Sequence, residues 1–391
     1  MIGGGPPRVP AGASRRTGDR TGRAAGAVRA LFPLLFGLLA LPALSLPSAA
    51  AISVEGRAAI EHHRRSWETH QGDHRADQTV VPLDAVLRID GSTRISLGCD
   101  LGWSGLRDRL GSSHLGAPRE LRAAADRALF DGRLRLGAGA RLALDDDGLS
   151  PGERRLAEAL AEIALGWPAP VTTAGTRVTT QAAGQIVRRE NWLLHAGLAR
   201  EWRGEQTLTD AGITLDPGGL TRLAAGAVAA WGGWRQESAL QLEFADESKL
   251  ANGDAFEAGT QGSWRAGAQR TLGAGRIALA AAFLARSSGS AAAGALLEPA
   301  WLRGGNALRG RVEWTPRTGP GETSLILGAA AVRGFYGDLG HAQWGEAGVA
   351  WDRPFGADGV RLGTLGQIGT CRRGRPLAGF SAVLSWTGGW R

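Results

Sequence analysis

The residues with the most evident capacity for chemistry are histidines and the acidic side chains near them. The densest group combines four histidines with two aspartates: His62, His63, His70, Asp73, His74 and Asp77. Imidazole and carboxylate groups are common ligands of transition metals. The group lacks the spacing of a zinc motif, however, so we expect a hydrated surface loop here and no metal site.

Other catalytic patterns are weak. The triplet Asp145 to Asp147 offers oxygen ligands but lacks the spacing of a calcium-binding loop. The chain has no nucleophile elbow, phosphate-binding loop or zinc-protease motif. We therefore expect neither an enzyme nor a bound cofactor.

Many arginines and carboxylates recur at every second position of otherwise apolar segments. In segment 94–103, RISLGCDLGW, Ile95 and Leu97 share one face whereas Arg94 and Asp100 share the other. A period of two is that of a β-strand with one apolar and one polar face. The same alternation recurs through most of the chain, which predicts an all-β fold.

The alternation predicts sixteen strands, with fourteen and eighteen as the limits. Their ranges are 52–66, 79–90, 93–106, 118–130, 132–145, 174–188, 190–203, 220–231, 235–247, 259–271, 275–287, 305–315, 322–334, 342–352, 359–370 and 376–387. The fourth, PRELRAAADRALF, also has a helical alternative. Soluble sheets commonly use strands of about five or six residues, whereas about 9 to 11 cross a bilayer at a tilt. The length therefore favours a closed antiparallel transmembrane β-barrel over a soluble sandwich.

The connections alternate between tight and long. The tight ones are Asp90-Gly91, Asp131-Gly132, Gly232-Gly233, Gly273 to Gly275 and Pro316 to Gly321. The long ones are 67–78, 107–117, 146–173, 204–218, 248–257 and 288–304. This alternation in connection length is typical of transmembrane barrels, which have short periplasmic turns and long outer loops. A short helix near 150–165 is predicted inside the longest loop, with Ser150 as its cap and Glu153 completing a capping box.

The barrel interpretation assigns the two faces of the strands. Aromatic side chains predicted at the lipid interface are Trp103, Trp192, Trp202, Trp231, Trp314, Trp351 and Trp386. Residues predicted to line the lumen are Arg57, Arg94, Arg133, Arg135, Arg141, Arg265, Arg276, Arg309, Arg311, Glu243, Glu313 and Glu346. Charged groups are tolerated in a lipid-walled tube where they face water or one another.

The N-terminus predicts export. Residues 1–51 combine six arginines, the apolar run ALFPLLFGLLALPAL and a small-residue ending at Ala51, as in a cleaved signal peptide. The predicted barrel is then 52–391, with 39 basic and 36 acidic residues, a balance that argues against nucleic-acid binding. We expect no structural disulfide between Cys99 and Cys371, although two cysteines leave that question open.

The segment ALFDGRLRLGAGARLAL at 128–144 and the closing strand SAVLSW resemble those of bacterial outer-membrane β-barrel transporters. The most similar groups are porin-like barrels and the barrels that take up fatty acids or aromatic compounds. The resemblance concerns architecture, and it implies passage of small solutes across the outer membrane of a Gram-negative bacterium.

We therefore expect a channel or transporter for passive passage of small polar, anionic or amphipathic solutes. Its expected partners are membrane lipid, lipopolysaccharide, the barrel-assembly machinery and the solutes themselves. The alternative is a structural or adhesion barrel whose lumen is closed by salt bridges. A soluble all-β domain is a third interpretation, because a soluble sandwich also has one apolar and one polar face.

Overall fold

The structure is a computed structural model. It describes residues 53–69, 72–89, 91–116, 120–143, 150, 153, 156, 176–207, 214–291, 304–317, 321–334, 339–355 and 358–390. The predicted signal peptide, the aspartate triplet at 145–147 and most of the predicted helix at 150–165 lie outside these residues. Within the described ranges, no helix is both long enough and apolar enough to cross a membrane.

Sixteen antiparallel strands close into one β-barrel. They are β1 (Ser53–Thr69), β2 (Gly72–Arg88), β3 (Thr93–Asp108), β4 (Glu120–Leu129), β5 (Leu134–Ala143), β6 (Arg177–Arg188), β7 (Trp192–Arg203), β8 (Leu220–Trp231), β9 (Trp234–Ala245), β10 (Gln261–Leu272), β11 (Gly275–Arg286), β12 (Gly305–Pro316), β13 (Glu322–Arg333), β14 (Gln343–Phe355), β15 (Asp358–Thr370) and β16 (Pro376–Trp390). Neighbours in the sequence are neighbours in the barrel, and β16 pairs with β1 to close it. The predicted architecture is confirmed, and the fourth segment is a strand.

The two ends of the barrel differ in their connections. The turn end carries connections 89–92, 130–133, 189–191, 232–233, 273–274, 317–321 and 356–357. The loop end carries 70–71, 109–119, 144–176, 204–219, 246–260, 287–304, 334–342 and 371–375. At the turn end, Gly232 and Gly233 have φ angles of 56° and 81° between the paired residues Trp231 and Trp234. A two-residue type I′ hairpin requires such positive φ angles, which explains the glycine pair.

Two predicted long loops are wrong in their extent. Residues 67–78 do not form a loop, because β1 and β2 stay paired as far as Thr69 and Gly72. The Trp67 ring stacks on His74 with 5.4 Å between the centroids, and this contact extends the ladder. Residues 107–117 are also largely strand, because β3 pairs with the short strand Gly111–Gly116 in a hairpin. Trp103 therefore lies within β3 and not at its end.

Three loops at the loop end pair with one another. They form a five-stranded sheet of very short strands, the rim sheet: Gln206–Thr207, Thr214–Asp216, Ser248–Leu250, Ala255–Glu257 and Ser290–Ala291. Leu215, Leu250 and Phe256 are buried between these strands. The segment predicted as the loop 248–257 is therefore a hairpin within this sheet.

Asp246, two residues before the rim-sheet strand Ser248–Leu250, joins the loop ends of the neighbouring wall strands. Asp246, just after β9, accepts hydrogen bonds from Arg200 of β7 and from the backbone N–H of Gly219, the latter at 3.1 Å. Arg200 also donates to Thr221 Oγ1 at 2.7 Å. The Arg200 hydrogen bond holds the pKa of Asp246 below its ordinary value of 3.8. The carboxylate therefore stays charged down to lower pH, and the contact is lost only as the pH falls through this lowered pKa.

Asp246→Asn should loosen the rim sheet while leaving the barrel folded. The exposed contact contributes little to global stability, yet it joins the loops after β7 and β9. We expect faster amide hydrogen exchange at 214–216 and 248–250, measured at pH 7 in detergent, with unchanged exchange in β8 and β9. Lys249→Gln, which removes the exposed Lys249–Glu247 pair, is the control. Equal exchange in Asp246→Asn and in the control would contradict this role.

Candidate functional site

The outer face of the barrel is apolar around its circumference. Large aliphatic side chains exposed on this face form a belt: Ile60, Leu83, Leu97, Leu198, Leu223, Leu240, Leu279, Leu308, Leu325, Leu362 and Leu384. A contiguous exposed apolar surface of this kind matches a hydrocarbon environment and not water.

The seven predicted interface tryptophans share the face of this apolar belt. Trp103, Trp192, Trp202 and Trp231 are exposed, Trp231 to 79%, whereas the others are partly covered. Trp192 begins β7 and Trp231 ends β8, so both lie at the turn end. Their placement suits an interface belt, and contact with lipid headgroups stays a prediction.

The opposite face is the inside of the barrel, as contacts between strands that are not neighbours show. Arg361 of β15 lies 3.8 Å from Glu313 of β12. Arg309 of β12 donates to both oxygens of Glu346 on β14 at 2.9 Å. Side chains two or three strands apart meet only across the concave side of the wall, so these groups point inward.

The structure places eleven of the twelve predicted lumen candidates on this inner face. They are Arg57, Arg94, Arg135, Arg141, Arg265, Arg276, Arg309, Arg311, Glu243, Glu313 and Glu346. Arg133 differs, since it lies in the turn before β5. That these residues border a path for solutes stays a prediction.

Ion pairs connect neighbouring strands along one arc of the inner wall, from β7 to β10. Buried Glu201 accepts from Arg203 at 2.7 Å and from Arg222 at 3.0 Å. Arg222 also donates to Glu243 at 3.0 Å, and Gln261 donates to the same carboxylate at 3.2 Å. Because each carboxylate has several donors, these charges are largely satisfied within the wall.

A second arc, on β1 and β12 to β16, contains the most deeply buried charges. The side chain of Glu346 is fully buried and also accepts from Trp344 Nε1 at 2.8 Å and from Gln367 Nε2 at 2.9 Å. Arg65, 1% exposed, donates to Gln367 Oε1 at 2.5 Å and lies 4.8 Å above the Trp344 ring. The arrangement fixes the guanidinium groups of Arg65 and Arg309 in place.

An apolar cluster fills part of the barrel near the loop end; we call it the inner plug. Its members are Trp67, Ala76, Leu106, Leu115, Leu156, Ala330, Val332, Leu339, Ala342, Trp344, Cys371 and Leu377. Leu156, from the long loop, is 0% exposed. The predicted capping box is confirmed: Ser150 N donates to Glu153 Oε2 at 2.9 Å, and Glu153 N donates to Ser150 Oγ at 3.4 Å.

The structure separates the histidines that could have bound a metal. His62 and His63 point to opposite sides of β1, and His63 Nδ1 lies 3.0 Å from Ser381 Oγ. His74 contacts Trp67 on the inner side, and His70 lies outside the described residues. In the described part of the chain, no group of three or more potential metal ligands is present. Cys99 and Cys371 do not form a disulfide with each other, and the Cys371 thiol donates to the backbone carbonyl of Glu68 at 3.1 Å.

Sequence reasoning missed Arg65, Gln367 and the inward tryptophans Trp67 and Trp344. Arg65 and Trp344 could have been found from alternation, because Arg65 is in phase with Arg57 and Trp344 with Glu346. Trp67 was missed because β1 was predicted to end one residue before it. Gln367 likewise lies at an inward position of β15, but it is uncharged, and only charged side chains were predicted to line the lumen.

An apolar outer belt around a closed wall with a charged inner face defines the fold class of the protein: a transmembrane β-barrel. No family model matches the sequence, and no curated protein matches it. Solved structures with a similar chain course include OpdQ of Pseudomonas aeruginosa, with 10% identity, 88% of this chain and 100% of that chain covered, and a TM-score of 0.44. OprB of Pseudomonas putida at low pH has 11% identity, coverage of 87% and 91%, and a TM-score of 0.41. OpdK of Pseudomonas aeruginosa with vanillate has 11% identity, coverage of 87% and 99%, and a TM-score of 0.43. These likenesses concern the fold and identify no solute.

Proposed function

We propose that the chain is an outer-membrane channel or transporter for passive passage of small polar, anionic or amphipathic solutes. The observation that carries the proposal is the closed sixteen-strand wall, apolar outside and rich in arginine inside. Barrels of this strand number usually enclose more space than their own side chains fill. Rings of cationic side chains favour anions, which gives the expected preference.

The proposed location is the outer membrane of a Gram-negative bacterium. Export by residues 1–51 with cleavage near Ala51 belongs to the proposal, as do contacts with membrane lipid, lipopolysaccharide and the barrel-assembly machinery. The near balance of charge in residues 52–391 supports a channel over a nucleic-acid partner. No enzymatic role is proposed.

Conductance in planar lipid bilayers tests the proposal. Insertion of the purified protein should produce steady steps in conductance. A tenfold potassium chloride gradient should give a reversal potential of the sign expected for chloride preference. A preparation that shows heat-modifiable gel migration, and is therefore folded, but gives no steps would contradict the channel function.

The second candidate is a structural or adhesion barrel with a closed lumen. The inner plug and the ion pairs around Glu201 and Glu346 favour it, because both occupy space inside the wall. In this case folded protein gives no steady conductance, so the bilayer measurement separates the two candidates.

Leu156→Asp tests whether the long loop closes the lumen. A carboxylate in the apolar inner plug is costly unless it reaches water, so the loop should leave its position. We expect a higher unitary conductance than that of the wild type. Leu110→Asp, at a position 63% exposed in the loop between β3 and Gly111–Gly116, is the control and should conduct as the wild type does. Unchanged conductance in Leu156→Asp would contradict the closure of the lumen by this loop.

A further inference from the structure

The inner wall contains a cavity that the ion-pair network does not fill. It has a volume of about 230 Å³ and lies among β1 and β12 to β16. The lining includes one carboxylate, that of Glu346, and four guanidinium groups, those of Arg65, Arg309, Arg311 and Arg361. We call it the arginine recess. Two further carboxylates, Glu313 and Asp352, lie beside Arg311 and Arg361 at the edge of the recess, so four positive charges meet three negative ones. The remaining positive charge favours an anionic occupant.

Two of these arginines have hydrogen-bonding capacity left for a ligand. Arg311 and Arg361 each lie 3.8 Å from Glu313, which is beyond hydrogen-bond distance, and Arg361 also lies 3.4 Å from Asp352. Each guanidinium has five N–H donors, so these contacts leave donors of both arginines unused. The Nε atom of Arg311 is buried and has no hydrogen-bond partner among the described residues. A buried donor without an acceptor makes the charged guanidinium costly to hold in the wall, and an anionic oxygen at its terminal nitrogens would offset that cost.

The other side of the arginine recess is apolar. Ile326, Ala350, Leu365 and Val383 line it, each on the inward side of its strand. The side chains of Ile326 and Ala350 are shielded from solvent. An apolar wall beside guanidinium groups matches a molecule with an anionic head and a short apolar body.

The recess is reachable from the barrel interior. The side chains of Arg309, Arg311 and Arg361 are 39%, 33% and 41% exposed, respectively. Arg65 and Glu346 are fixed behind them by Trp344 and Gln367 and therefore form the rigid back of the site.

We propose that the arginine recess is a saturable binding site for small amphipathic monocarboxylates, about the size of a six-carbon acid. The carboxylate accepts from Arg311 and Arg361, and the alkyl body packs against Leu365 and Val383. The site would give the proposed channel its solute preference, and in that sense it rests on the proposed function. The occupancy itself does not require conduction.

Isothermal titration of the detergent-solubilised protein with hexanoate tests the proposal. We expect one saturable site per chain, no binding of the neutral hexanamide, and at least tenfold weaker binding of acetate, which lacks most of the apolar body. Inorganic phosphate should also bind at least tenfold more weakly. Equal affinity for hexanoate and hexanamide, or for hexanoate and phosphate, would overturn the proposal.

Variants locate the site. Arg311→Gln should weaken hexanoate binding about tenfold or more, because it removes a charged hydrogen-bond donor. Val383→Thr should weaken hexanoate binding but leave phosphate binding unchanged, because it alters only the apolar wall. Arg333→Gln, on the outer side of β13, is the control and should bind as the wild type does. Unchanged hexanoate affinity in Arg311→Gln, with folding verified by gel migration, would exclude this recess.

The outcomes for the binding site and for the channel are distinguishable. Hexanoate binding without conductance would overturn the channel and keep the arginine recess as a ligand site. Conductance without hexanoate binding would overturn the recess and keep the channel.

Discussion

Leu279→Arg should lower the free energy of unfolding by about 2–4 kcal/mol, the range for a cation on the lipid face of a barrel near the bilayer midplane. Leu279 lies in the middle of β11, is 38% exposed and belongs to the apolar belt. In hydrocarbon the introduced arginine loses its hydration, and no protein group replaces the lost hydrogen bonds. Urea unfolding in lipid vesicles, followed by tryptophan fluorescence, measures the change.

The neighbouring position provides the matched control. Ala278 lies on the inner face opposite Glu313. In Ala278→Arg the new cation therefore meets a carboxylate and water, and we expect a much smaller change in the free energy of unfolding than for Leu279→Arg. Equal losses at the two positions would contradict the assignment of the faces.

Arg309→Met should lower the free energy of unfolding by about 1–3 kcal/mol, since the fully buried Glu346 carboxylate loses its charged hydrogen-bond donor. The side chain of Glu346 is fully buried, and Arg309 is its guanidinium partner at 2.9 Å. Trp344 and Gln367 would still donate to Glu346, but they carry no charge. The same urea measurement in vesicles applies.

The double variant separates the lost ion pair from lost packing. Arg309→Met combined with Glu346→Gln removes both charges and should recover most of the stability lost in Arg309→Met. If the double variant is as unstable as Arg309→Met, packing and not buried charge explains the loss.

Most of the barrel was predictable because strand alternation is a local property. Exposed Leu97 and Trp103 share one face of β3 with Cys99, as the pattern RISLGCDLGW predicts. Burial on one face fixes the register of each strand, so one misplaced residue would turn every side chain to the wrong side. The inner-face assignment of residues such as Arg94 and Glu313 followed from the same rule.

The loop end was less predictable because its structure depends on contacts between distant segments. The stacking of Trp67 on His74 extends β1 and β2 beyond the predicted ends, although the segment reads as a polar loop. The rim sheet joins strands of two or three residues from three loops, and periodicity cannot reveal strands so short. The arginine recess likewise depends on which strands close the barrel, a property of the whole chain.

Spin-label accessibility along β16 tests the two-faced wall most directly. Single cysteines at positions 379–385, in a background with Cys99→Ser and Cys371→Ser, would be labelled in lipid vesicles and probed with dissolved oxygen and a water-soluble nickel chelate. We predict that labels at 380, 382 and 384 respond to oxygen, whereas labels at 379, 381, 383 and 385 respond to the chelate. A reversed alternation, or equal access of the chelate at every position, would contradict a lipid-facing outer belt around a hydrated interior.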